Sequence, residues 1–318
     1  MIREPIIIVS GEPYSIFTEI FFKALKFKKF KSPIILISSL KLLKFYMKKL
    51  NFKKKIYIVD IKDENYKKFN NDTINLINVN LKNIKNDTKI SNEFIKNTFK
   101  IGLNLITRKK SSKLINGPIE KKKFLNKKYS GMTEYIAEKT NTKKFAMLIY
   151  NEKLSVCPLT THLPLKKVAK KITKENIYEK VKLINSFYLK FKKIKPKIAI
   201  LGLNPHCEST DKFNEDDKII KPSIKYLKKL GFKVSGPYPA DTIFLKKNRE
   251  KFNVVLGMYH DQVLTPIKTL FEYDAINITL GLPFLRISPD HGPNIKMVGK
   301  NISNPLSLIN SINFLDKI

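Results

Sequence analysis

Three of the chain's four histidines, His162, His206 and His260, each come just after a short apolar run. The runs are residues 154–159, 198–203 and 254–258, each of strand length and each followed by loop-type residues. In open α/β sheets the ligand crevice lies at the carboxyl ends of the strands, so imidazoles placed there can converge. Three neutral nitrogen ligands describe a catalytic metal site with an open coordination position. The competing reading is three unrelated loop histidines, since the intervals match no local metal motif. The neighbouring residues decide between the two.

The elements that must position these histidines alternate between strand and helix. Residues 6–10 read as a first strand, ending at Gly11-Glu12-Pro13, and residues 16–27 have helical spacing. Residues 33–38 and 55–59 are further β-type runs with a Lys-rich helix, 40–50, between them, which is βαβ grammar. Residues 70–91 give mixed signals and read as polar loop or edge strand. Ser91 can cap a helix from Asn92 towards Ile101, with residues 103–107 as the next strand. Residues 145–150 and 154–159 flank Asn151-Glu152-Lys153 and read as a hairpin ending in Thr160-Thr161-His162. Residues 164–192 supply one or two amphipathic helices. Gly236-Pro237-Tyr238-Pro239 reads as a turn, and residues 275–280 as the last strand candidate. There is no GxGxxG or GxxxxGK[ST] loop, so neither a standard dinucleotide fold nor a P-loop is signalled.

Composition bounds the problem. A chain of 318 residues, 42% apolar, can bury a substantial core, and its length suggests two domains. No run of about 18 apolar residues and no signal-peptide core is present, and Cys157 and Cys207 form no CxxC pair; a reducing cytoplasm is the expectation. The formal charge of +35 would suit a nucleic-acid binder, but the cations are spread along the chain. Only Arg3, Arg108, Arg249 and Arg286 are arginines, and base readout favours arginine for its bidentate fork. Neither a specific nucleic-acid partner nor a membrane is expected. Weak, salt-sensitive adhesion to polyanions and attraction of a phosphorylated substrate are.

A set of blocks runs along the chain: Gly11-Glu12-Pro13, Asn116-Gly117-Pro118, Gly131 with Thr133-Glu134, Thr160-Thr161-His162-Leu163-Pro164-Leu165 and Gly202-Leu203-Asn204-Pro205-His206. Gly236 to Thr242, Met258-Tyr259-His260-Asp261-Gln262, Asn277 to Pro283, and Asp290-His291-Gly292 follow. In these the sequence resembles the 4-hydroxythreonine-4-phosphate dehydrogenases of pyridoxal phosphate biosynthesis, over almost its whole length and in family order. The resemblance implies an α/β fold of two α/β/α domains with an interdomain cleft, of the isocitrate and isopropylmalate dehydrogenase kind. The expected domains are 1–128 plus about 286–318, and about 129–285, the second carrying the metal histidines and a dimer interface.

The same resemblance implies that His162, His206 and His260 hold one divalent ion, zinc, magnesium or cobalt, with one ligand donated across a homodimer interface. It implies NAD or NADP as cofactor, at residues the sequence leaves unknown, and substrate contacts from Thr133, Lys268, Asn277, Arg286 and the Met132 position. Lys268 and Asp241 are the candidate catalytic residues. Lys268 and Arg286 suit the anionic ends of a phosphorylated substrate, arginine through two parallel bonds. Asp241 and Asp261 could orient imidazoles, and an N-cap is the other reading of Asp241.

Several positions depart from the family pattern. Met132 stands where a histidine is usual and cannot donate to phosphate. Glu120 likewise replaces a histidine, and Tyr14-Ser15-Ile16-Phe17 replaces a glycine-containing turn. After His206 the family's glycine-rich stretch is Cys207-Glu208-Ser209-Thr210-Asp211, without glycine. Three readings therefore stand: a dehydrogenase of 4-phosphooxy-L-threonine, one of a related phosphorylated hydroxy acid such as threonate or erythronate phosphate, or a non-catalytic family member.

Overall fold

The computed structural model describes residues 3–318 except 64, 85, 126–128, 130, 212 and 290. Asp290 and the expected domain crossing near 128 lie outside the described residues. The chain divides into two compact units, one of Met1–Met132 with Pro283–Ile318, the other of Thr133–Leu282. The strands are β1 (Ile6–Val9), β2 (Ile34–Ser38), β3 (Ile56–Ile58), β4 (Ile74–Asn78), β5 (Lys113–Asn116), β6 (Ala146–Tyr150), β7 (Ser155–Thr160), β8 (Ile198–Leu201), β9 (Val234–Tyr238), β10 (Val254–Tyr259), β11 (Ile276–Leu280) and β12 (Leu285–Pro289). The fold is α/β, as expected from the alternation of the sequence.

The first unit holds a parallel sheet in the order β3-β4-β2-β1-β5-β12. Its central strands are continuous apolar runs because both faces are buried; Ile6, Ile7, Ile8 and Val9 have no exposed surface. The stretch expected as polar loop or edge strand contains β4, an inner strand paired on both sides, and β3 is the edge. What the composition concealed is that the polar residues are satisfied. Buried Asn75 donates to the carbonyls of Ile34 and Asn70 at 3.1 and 2.7 Å.

Residues 103–107 are not a strand. They continue the helix Thr88–Thr107, which begins three residues before Ser91, with Asp87 as its cap accepting from Ile90 N at 2.9 Å. Phe94, Ile95, Thr98, Phe99, Gly102 and Leu105 form its buried stripe at helical spacing, so the period of 3.6 prevails over the short apolar run. A side chain at Gly102 would meet the Val9 Cγ2 at 2.7 Å, which lets the helix lie directly on β1.

The second unit holds the order β11-β6-β7-β10-β8-β9. The expected hairpin is present: β6 and β7 are antiparallel, with Ile149 opposite Val156. Strands β7, β10, β8 and β9 then run parallel. Met147, Ile149, Val156, Ala199, Leu201, Val255 and Val263 pack into one apolar core with Ile267 of the helix His260–Phe271. Residues 236–238, expected as a turn, belong to β9, whose register with β8 shifts between Ala199 and Leu201 around the cis Gly236–Pro237 bond. Among the described residues no helix is long and apolar enough to cross a membrane.

Candidate active site

The three strands that precede the histidines are neighbours. β10 lies between β7 and β8, parallel to both, with Tyr259 opposite Thr160. Their carboxyl ends therefore share one edge of the sheet. His162 stands two residues past β7, His260 opens the helix His260–Phe271 directly after β10, and His206 sits in the 3₁₀ turn Pro205–Cys207 after β8. The rings of His162 and His260 are 5.9 Å apart between centroids and tilted by 37°. His206 is exposed on the same edge. Among the described residues no three His, Cys, Asp or Glu side chains form a group able to hold a metal ion, so within one chain the structure pairs two of the three imidazoles.

The strand ends are tied together by buried polar groups. The Thr160 hydroxyl donates to the Met258 carbonyl at 2.8 Å, joining β7 to β10. Gln262, nine-tenths buried, donates through Nε2 to the Gly202 carbonyl at 2.8 Å and accepts the Met258 N–H through Oε1 at 2.6 Å, joining β10 to the end of β8. Satisfied in both directions, this amide fixes the spacing of the loops that carry His260 and His206. Sequence reasoning assigned Gln262 and Thr160 no role. Their position beside the histidines in the quoted blocks was the only signal.

Two carboxylates face the paired imidazoles. Asp261 Oδ1 is 2.7 Å from His260 Nδ1, which favours the tautomer with its proton on Nδ1 and leaves Nε2 as a lone-pair donor. Glu134 Oε1 accepts from the Thr161 hydroxyl at 3.3 Å and lies 3.7 Å from His162 Nδ1, an electrostatic contact longer than a hydrogen bond. Burial works to raise the Glu134 carboxyl, but the His162 imidazole, its own backbone N–H and Thr161 outweigh it and hold it below the usual range.

The other expected residues of this unit lie on several elements, and Asn277 is level with Val156, four residues before the end of β7. Thr133 is buried in the first turn of the helix Met132–Lys139. Asp241 is exposed in the first turn of the short helix Ala240–Ile243; Pro239 is the cap, so the N-cap reading does not hold. The charge of Asp241 reaches the Cys207 thiol, which burial first of all pushes up. Lys268 lies two turns beyond His260 on the same helix, about 12 Å along its axis. Asn277, on β11, has its Oδ1 buried without a hydrogen-bond partner, as does Glu134 with Oε2. A buried acceptor without a donor costs free energy, so the Asn277 amide is suited to a donor that a bound molecule brings.

In the first unit, Arg286 on β12 is 2% exposed and donates through Nε to Asn116 Oδ1 of the Asn116-Gly117-Pro118 block at 2.7 Å. Met132 is also buried. His206 and Cys207, the first residue of the glycine-free segment, take left-handed backbone all the same: φ is 55° at His206 and 62° at Cys207. For residues with a Cβ that conformation is strained and has to be held by its surroundings.

The family model described as pyridoxal phosphate biosynthetic protein PdxA matches residues 29–315. The chain belongs to the PdxA family. A relative from a Sulfurihydrogenibium species, a 4-hydroxythreonine-4-phosphate dehydrogenase, is 39% identical over 96% of this chain and 95% of its own length. A D-threonate 4-phosphate dehydrogenase of Pectobacterium atrosepticum is 36% identical over 58% of this chain and 57% of its own length. Among solved structures, the 4-hydroxythreonine-4-phosphate dehydrogenase of Klebsiella pneumoniae superposes with a TM-score of 0.82 at 25% identity, covering 98% of both chains. PdxA membership thus rests on nearly the whole chain, as the blocks in the sequence implied.

Proposed function

We propose that the chain is a metal-dependent dehydrogenase that oxidises 4-phosphooxy-L-threonine to 2-amino-3-oxo-4-phosphooxybutanoate with a nicotinamide cofactor. That product is a β-keto acid and loses carbon dioxide to give 3-amino-2-oxopropyl phosphate. The observation that carries this reading is the shared sheet edge of His162, His206 and His260 in a chain of the PdxA family. The donor set suits a divalent ion with an open position: imidazoles, one with Nδ1 held by Asp261 and Nε2 left as donor. In this reading the third ligand comes from the second copy of a homodimer.

When bound, the ion would polarise the substrate hydroxyl and then the new carbonyl, and the nicotinamide would take the hydride. The chain's own residues bind and orient. Arg286 and Lys268 offer positive charge to phosphate and carboxylate, Thr133 a hydroxyl, and Asn277 an acceptor for a substrate N–H or O–H. Asp241 stays a candidate catalytic residue near the His206 turn.

The test is reduction of NAD or NADP by the purified protein with 4-phosphooxy-L-threonine and a divalent ion, beside His206→Ala. Turnover that is lost in the variant and with chelator supports the reading; equal turnover in both, or none from folded, metal-loaded protein, overturns it. Met132, buried where the family usually has a histidine, favours a second reading in which a phosphorylated hydroxy acid such as threonate phosphate is preferred. The same assay with D-threonate 4-phosphate decides between the substrates.

A further inference from the structure

His206 sits on a turn whose backbone should resist its own conformation, and the residue that restrains it lies ten positions further along. Asp216 has no exposed surface. Its Oδ1 accepts the Leu203 N–H at 2.9 Å, and its Oδ2 accepts the Asn204 N–H at 3.1 Å and the Asn204 side-chain amide at 2.9 Å. Three donors thus converge on one buried carboxylate, all from the two residues that lead into Pro205 and His206. Such charge-assisted bonds are about twice as strong as neutral ones.

The turn is closed from the other side as well. A side chain at Gly202 would meet Asp216 Oδ1 at 2.6 Å and Cys207 Sγ at 2.7 Å, so the carboxylate and the thiol pack directly over the glycine. Cys207 N–H donates to the Asn204 carbonyl at 3.0 Å, and Glu208 N–H to the Pro205 carbonyl at 3.1 Å. In a segment without glycine, the left-handed φ of His206 and Cys207 has to be imposed from outside, and Asp216 is the buried group that holds the two residues leading into the turn.

We infer that Asp216 is a positioning residue for His206, its buried carboxylate clamping the Leu203–Asn204 backbone so that the imidazole stands at the metal-binding edge of the sheet. This rests on the metal reading above and adds to it the group that preorganises one ligand. An outer residue that orients a ligand acts on metal affinity without touching the metal.

The test is titration of the metal-free protein with Co²⁺, read by its visible ligand-field absorption, together with the melting midpoint of each metal-free protein. Wild type is compared with Asp216→Asn, Asn204→Ala and His206→Ala. The expected result is Co²⁺ affinity about 10–100-fold weaker in Asp216→Asn, a smaller loss in Asn204→Ala, and an altered spectrum in both. A role confined to stability predicts a lower midpoint with wild-type affinity and spectrum, and that outcome overturns the inference. Should Asp216→Asn fail to fold, Asn204→Ala decides by the same criterion, since it removes one side-chain donor and leaves the carboxylate. Wild-type protein that takes up no Co²⁺, or His206→Ala that binds as wild type does, refutes the metal reading itself, and the role of Asp216 falls with it.

Discussion

Gln262 and Gly202 are 60 residues apart in the chain and joined by a 2.8 Å hydrogen bond from the side-chain amide to the backbone carbonyl. With the second bond from Met258 N–H at 2.6 Å, the amide is a two-ended tie between the strand ends that carry His206 and His260. Gln262→Leu keeps the volume and orphans a buried carbonyl and a buried N–H. A loss of about 1–3 kcal/mol in stability is expected from denaturant unfolding, with kcat falling more than KM rises because the tie positions His206 and His260 and does not bind substrate. Wild-type stability in this variant would show that water takes over both partners.

Gly257 stands directly beneath that tie. A Cβ there would meet Val263 Cγ1 in close overlap and Gln262 Oε1 at 3.0 Å. Gly257→Ala therefore forces the helix His260–Phe271 away from β10, and the overpacking should cost about 1–3 kcal/mol. The check is the melting midpoint of the metal-free protein, so that metal affinity does not enter. An unchanged midpoint would mean that the helix start yields freely.

These contacts show where reading from sequence stops. The three strand ends were legible because each is a short apolar run followed by a chemically distinctive residue. The stitches between them were not: Thr160 meets Met258 across 98 residues, and no local spacing encodes that. Helical and strand periods are ambiguous in short apolar stretches, which is how residues 103–107 read as a strand although Phe99, Gly102 and Leu105 continue one helical stripe. β4 was obscured for a different reason. Asn75 is polar in composition yet buried and fully bonded, and only the fold supplies its partners. The histidines' common edge was foreseen from the strands, while the pairing of His162 with His260 and the separate turn of His206 required coordinates.

Asp316 anchors the C-terminal helix Leu306–Lys317 by accepting Ser32 N–H at 2.6 Å and Lys31 N–H at 3.0 Å. Burial works to raise its carboxyl, but these backbone donors and the charge of Arg3 outweigh it and hold it below the usual range. A folded-state pKa that is depressed contributes stability above the unfolded value, near 3.9, and loses it as pH falls through the folded value. Asp316→Asn is expected to cost about 1–3 kcal/mol at pH 7. The gap between variant and wild type should narrow as acid protonates Asp316, which urea unfolding at pH 7 and in steps below pH 4 measures. A gap independent of pH would rule out the carboxylate charge as its source.

Arg286 is the buried arginine among four in a lysine-rich chain, 2% exposed and bonded through Nε to Asn116. Lysine carries the charge but has a single ammonium in place of a planar fork, and cannot reproduce the Nε geometry. In Arg286→Lys, kcat/KM for the phosphorylated substrate should fall about 10–100-fold, the equivalent of one charge-assisted hydrogen bond. Arg286→Lys with wild-type kcat/KM but lowered stability would assign the arginine a structural role, through contacts such as that to Asn116.

Met132 offers the converse experiment, a gain. It is 7% exposed, immediately before buried Thr133 at the start of the helix Met132–Lys139, and its thioether cannot donate a hydrogen bond. Histidine is of similar length and carries an N–H that could reach a substrate phosphate. Met132→His should lower KM for 4-phosphooxy-L-threonine by about 2–10-fold, the worth of one ordinary hydrogen bond, with kcat nearly unchanged because the contact is made equally in ground and transition states. If KM instead rises for 4-phosphooxy-L-threonine while D-threonate 4-phosphate turnover collapses, the apolar side chain is itself part of the substrate preference, and the site has been shaped around methionine.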